Sequence, residues 1–154
     1  MDPTITFEVP GRPTPKARPY MTAGGKVFTP EKTAAAERSV KWMLRAAMKG
    51  RDPLTCPVAV EIVAHFPAAK AKAKWLVGRP HDQTPDIDNV VKLILDGCNR
   101  LAWKDDGQVY QILASGWWSH SDEARTVVKI YAWDPVEQLK LLDLPKTKTL
   151  RTFA

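Results

Sequence analysis

The chain has 154 residues, 44% hydrophobic and 26% charged, the size and balance of one globular domain with a real core. No apolar run reaches the roughly 18 residues of a membrane span, and the N-terminus lacks the apolar core and cleavage site of a signal peptide, so a cytoplasmic protein is expected. A net charge of +6 favours a polyanionic partner, and two cysteines without CxxC spacing, Cys56 and Cys98, indicate neither a disulfide framework nor a zinc site.

Residues 4–9 alternate, with Ile5, Phe7 and Val9 on one face of a predicted strand. The Pro- and Gly-rich segment after it carries Arg12, Lys16 and Arg18, and Gly24-Gly25 suggests a hairpin tip. This segment reads equally as a solvated loop or as a basic arm that follows phosphates. A helix is predicted from Thr29 as N-cap, with Pro30 in its first position, to about Lys49, stopped by Gly50. Its apolar face is Ala36, Val40, Met43, Leu44 and Ala47. A second face is basic, with Arg38, Lys41, Arg45 and Lys49.

Residues 58–66 form the clearest strand, with Val58, Val60, Ile62, Ala64 and Phe66 inward and His65 opposite. His65, His81 and His120 have no metal-ligand spacing. A basic connection with Lys70, Lys72, Lys74 and Arg79 then reads as a short helix or loop. Strands at 108–118 and 126–133 are expected to form an antiparallel hairpin, and a short helix with a basic tail follows Asp134. The order is β, hairpin arm, α, β, α, β, β. This predicts a mixed fold of the α+β type, one mixed sheet with helices against it, in a domain of residues 1–134 followed by a tail of residues 135–154.

The acids gather in PDIDNVVKLILDGCNRLAWKDDGQV, residues 85–109. Taken singly they have ordinary explanations. Asp88 suits the N-cap of a helix starting near Asn89, and Asp105-Asp106-Gly107 suits a turn. Together they suggest more. In extended backbone Asp86 and Asp88 project to one side. If the strand after the helix pairs beside the strand before it, Asp105 or Asp106 arrives at the same end. Lys92, four residues after Asp88 on the helix, leans towards these carboxylates, and Asp96 continues that row. An EF-hand is excluded, because Val91 stands where that loop needs glycine. Spaced aspartates with a third from elsewhere suit Mg²⁺, which keeps waters and binds few carboxylates together with substrate phosphates; Mn²⁺ is the alternative ion. Such a site hydrolyses phosphodiesters, with Lys92 against the phosphate.

The same stretch resembles the signature of the RusA-type Holliday-junction resolvases of bacteria and their phages. The pattern is Pro-Asp-x-Asp-Asn, a lysine four residues after the second Asp, then Asp-Gly, Trp and Asp-Asp-x-Gln-Val. The early VPGRPTPKARPYMT and GGKVFTP are similar to that family's N-terminal segment, and the resemblance covers most of residues 5–133. It implies a homodimeric, Mg²⁺-dependent endonuclease that cuts four-way DNA junctions symmetrically. It implies metal-binding catalytic carboxylates at Asp86, Asp88 and Asp106 and an essential lysine at Lys92. Asn89, Asp96, Asp105 and Gln108 match without a defined role. Pro85 departs from the pattern, where a basic residue can stand, and Lys74 or Arg79 then becomes the candidate for that phosphate contact. Arg12, Lys16 and Arg18 complete the candidate DNA contacts. Two other readings stay open on the residues alone. One is a non-catalytic basic DNA-binding module. The other is a nucleotide phosphohydrolase, disfavoured by the lack of a Walker-type loop.

Overall fold

The computed structural model describes residues 2–135, so the helix expected after Asp134 and the basic tail lie outside the described residues. The architecture is a mixed α+β fold, a four-stranded mixed sheet with helices packed against it. The sheet is built around β4 (Val58–Pro67), whose burial alternates along all ten residues. Five inward side chains in alternation make this the strand most in need of neighbours on both sides, and it lies inside the sheet rather than at an edge. β1 (Ile5–Pro10) pairs antiparallel with β6 (Arg125–Ala132), β6 pairs antiparallel with β4, and β4 pairs parallel with β5 (Val109–Ser119).

The expected hairpin of the last two strands does not form. β4 lies between β5 and β6, and the turn Ser121–Glu123 carries the chain across. The reason is the apolar alternation of β4, which takes a strand on each flank. The hairpin expected at Gly24-Gly25 is present, a small ribbon of β2 (Tyr20–Met21) and β3 (Val27–Phe28).

Two helices cover the inward face. α1 (Glu31–Met48) buries Val40, Leu44 and Met48, and α3 (Ile87–Cys98) buries Val90, Leu93, Ile94 and Cys98. They close on Val60, Ile62, Phe66, Val128 and Ile130 of the sheet. Pro30, not Thr29, occupies the N-cap of α1, because its ψ of 137° keeps it extended. At the other end Lys49 takes the left-handed conformation (φ 50°) ahead of Gly50. The crossing of α1 and α3 is tight at Gly97, where a Cβ would stand 2.6 Å from Cγ1 of Val40.

Parallel strands need a crossover, and the β4–β5 pair obtains it from α3. β4 ends near the start of α3, and β5 begins near its end. The connection from β4 to α3 holds the single turn of α2 (Ala73–Leu76) and is fastened to β5. The Gly78 amide donates to the Trp118 carbonyl at 3.0 Å and the His81 amide to Gly116 at 2.9 Å.

Candidate active site

The N-terminal end of α3 presents Asp86 and Asp88. The helix starts two residues earlier than the sequence suggested. Asp86 is its N-cap, with extended backbone (φ −67°, ψ 140°), and Asp88 is already in the first turn. The two therefore do not alternate on one extended strand as expected; the helix turn brings them to a common rim instead. Asp86 makes no capping bond with its side chain, so its exposed carboxylate faces solvent at the positive end of the helix dipole.

Lys92 donates to Asp88 at 2.9 Å, the helical i,i+4 contact. That hydrogen bond holds the Asp88 carboxyl below the usual carboxylate range. Both side chains are exposed, so the pair is weak and exchangeable, and the ammonium is free to turn to an incoming phosphate. The contact contributes above the ordinary carboxylate pKa and is lost as pH falls through the depressed value. In Lys92→Met, measured without metal by carboxyl NMR, Asp88 is expected to titrate back towards the ordinary range. An unmoved titration removes Lys92 from this role.

The basic arm passes directly beside these acids. The Lys16 amide donates to the Asn89 carbonyl at 2.8 Å, and the Ala17 amide to the Thr33 hydroxyl at 3.3 Å. The Lys16 ammonium pairs with Asp96 and, at 3.5 Å, with Glu37, and the Asp96 hydrogen bond pushes its pKa up. Lys16 thus fastens the arm across α1 and α3. One cleft is bordered by Lys16 and Arg18 of the arm and by Asp86, Asp88, Asn89 and Lys92 of α3. Arg12 and Lys32 border a neighbouring hollow beside Thr84 and Pro85. Lys74 and Arg79 lie exposed on the connection from β4 and border neither.

Asp106 lies elsewhere. β5 does pair beside β4 as the sequence suggested, but in parallel, so the residues that precede it are at the far end of α3. Asn99, the C-cap of α3, donates to Asp106 Oδ2 at 2.9 Å, and Trp103 Nε1 donates to Oδ1 at 3.1 Å. From Asp88 to Asn99 the helix rises about 16 Å at 1.5 Å per residue. Among the described residues no three His, Cys, Asp or Glu side chains gather as a metal site. Within the chain the three proposed ligands are a pair and a distant single, and all three are exposed.

The neighbours of Asp106 have defined roles. Asp105 caps the turn Asp106–Gln108 by accepting from the Gly107 amide at 2.7 Å. The Gln108 side chain donates to the carbonyls of Leu54 and Cys56 and accepts from the amides of Lys104 and Asp105, which fixes this turn to the start of β4. Asn99 and Trp103 were not legible as site residues. The hint for Trp103 was its place in the family signature, just before the polar KDDG run, and Asn99 had none. Trp103 is fully buried, so its N–H is a fixed donor. Trp103→Phe keeps most of the packing and removes that donor. A loss of about 10-fold or more in cleavage rate is expected, as for other groups that only orient a ligand. An unchanged rate removes Trp103 from the site.

The family model of endodeoxyribonuclease RusA matches residues 10–131. The chain belongs to the RusA endodeoxyribonuclease family. The match spans both ends of α3, so Asp86, Asp88, Lys92 and Asp106 all lie inside it. RusA-family membership supports a hydrolase acting on DNA, in a family that binds branched DNA and generally depends on a divalent metal. The uncharacterized protein YqaN of Bacillus subtilis (strain 168) is 28% identical over 137 residues, 81% of this chain and 95% of that protein. No helix among the described residues is long and apolar enough to cross a membrane.

Proposed function

We propose that this RusA-family protein is a Mg²⁺-dependent endonuclease, with Mn²⁺ as an alternative ion, that resolves four-way DNA junctions by paired nicks as a homodimer. In this reading each active site takes Asp86 and Asp88 from one protomer and Asp106 from the other. The carrying observation is the placement of these exposed carboxylates at opposite ends of α3. No side-chain motion spans about 16 Å of helix. A two-fold axis that sets the start of one α3 against the end of its partner's brings the three together twice, and C2 is the commonest closed symmetry.

The residues suit the chemistry. Three carboxylates offer the hard oxygen ligands that Mg²⁺ prefers while leaving places for water and a phosphate oxygen. A cation so held supplies a Lewis acid and a lowered water pKa for phosphodiester hydrolysis. Lys92 can exchange Asp88 for the scissile phosphate and balance the charge that develops on it. Arg12, Arg18 and Lys32 line the approach for the flanking backbone. Lys16, already paired, positions the arm. Asn99 and Trp103 hold Asp106 with both oxygens oriented.

The test incubates labelled four-way junction and linear duplex with the protein in Mg²⁺ or in chelator. Paired, symmetric nicks in the junction alone, abolished by chelator, are expected. A non-catalytic basic module is the competing reading, favoured by the split of the carboxylates within one protomer. It requires salt-sensitive binding with no cleavage in any divalent metal.

A further inference from the structure

The connection from β4 to α3 holds a feature that the proposed chemistry does not use. Trp75 is 63% exposed, although an indole is among the side chains that gain most from burial. It sits on α2 in a loop whose neck is closed at both ends on β5. The Ala68 amide donates to the Ser119 carbonyl at 2.9 Å and the Gly78 amide to Trp118 at 3.0 Å. His81, just beyond the neck, is stacked on Phe66 at 3.7 Å. Trp75 is therefore carried on a loop with an anchored base.

The charge on that loop has one sign. Residues 67–80 contain Lys70, Lys72, Lys74 and Arg79 and no Asp or Glu. The Lys74 ammonium lies 4.7 Å from the Trp75 ring centroid, over one face of the indole. The loop leaves β4 at the end of the molecule where α3 begins, the end of Asp86 and Asp88. An exposed flat ring within a cationic loop matches a ligand that is both polyanionic and flat. Nucleic acid whose bases are out of continuous stacking has both properties, since every base presents a π face beside a phosphate. An intact duplex does not offer those faces without unstacking.

We propose that Trp75 is a stacking platform for unstacked DNA bases, held against the exchange point of a branched substrate while the loop lysines engage the adjoining phosphates. This rests on the junction-endonuclease reading for its substrate, but stacking is measurable without cleavage. In chelator, a four-way junction with 2-aminopurine at the branch point and a single strand carrying the same base are titrated with wild type, Trp75→Phe and Trp75→Ala. Sedimentation is recorded for each.

Wild type and Trp75→Phe are expected to change the 2-aminopurine fluorescence on both probes. Trp75→Ala is expected to lose that signal and to bind both on the order of 5- to 150-fold more weakly, the range for one lost base–aromatic stack, with linear-duplex binding unchanged. No fluorescence change with wild type, or an equal change with Trp75→Ala, overturns the proposal. So does a drop in assembly mass in Trp75→Ala, which makes the indole a contact between copies. A wild type that never nicks the junction in Mg²⁺ yet loses its stacking signal in Trp75→Ala refutes the endonuclease reading and leaves the platform standing.

Discussion

Mixing Asp88→Asn with Asp106→Asn is expected to restore nicking of four-way junctions that neither variant performs alone. Each variant alone is expected to lose at least about 100-fold in rate, since losing a group that merely orients a ligand already costs 10–100-fold. In a dimer with shared sites, a mixed pair contains one doubly defective site and one intact site. The intact site uses Asp86 and Asp88 of the Asp106→Asn protomer and Asp106 of the Asp88→Asn protomer. The restored product is therefore a single nick, without the paired cut of wild type. If each protomer holds its own complete site, no mixture recovers activity. Mixing Asp86→Asn with Asp88→Asn is the control and recovers nothing in either case. Recovery in that control, or none in the first mixture, removes the shared site. The separation that motivates the experiment comes from the parallel β4–β5 pair and the contact of Asn99 with Asp106.

Gly97→Ala is expected to be the most destabilising small change in the core. Its Cβ would stand 2.6 Å from Cγ1 and 2.8 Å from Cβ of Val40, atoms that a fully buried, β-branched side chain cannot withdraw. Overpacking of this kind costs about 1–3 kcal/mol, against the few tenths to about 1 kcal/mol that alanine gains over glycine in a helix. Urea or thermal unfolding measures the sum. The decisive variant is Gly97→Ala with Val40→Ala. Val40→Ala removes Cγ1, the closer of the two contacts, and leaves Cβ, so the pair is expected to be less destabilised than the sum of the two single changes. Strict additivity, or a stabilised Gly97→Ala, shows that α1 and α3 do not meet there. Because the same helix carries Asp86 and Asp88 at one end and Asn99 at the other, Gly97→Ala is also expected to disturb cleavage.

Several elements were readable because their burial follows a local period. The alternation of Val58, Val60, Ile62, Ala64 and Phe66 identified β4, and the three- and four-residue spacing of Val40 and Leu44 identified the inward face of α1. Thr33 and Met48, buried on the same helix, were missed because one is polar and the other lies at the helix end. The pairing of the last two strands was misread. Consecutive strands often form hairpins, and nothing local to them reports that β4 will come between.

The site divides the same way. Sequence by itself singled out the candidate site residues, because the motif from Asp86 to Gln108 is specific in residue type and spacing and lies within the match to one family that covers most of the chain. It also determined the contact of Lys92 with Asp88, because a four-residue step on a helix fixes neighbours. Only the tertiary structure decided where Asp106 stands. Parallel pairing of β5 with β4 obliges α3 to carry the chain back across the sheet, so the acids at its two ends are parted by its length. The direction of a strand is set by long-range packing and leaves no period in the sequence. For that reason a motif that is compact along the chain is divided in the fold, and a second protomer enters the proposed mechanism.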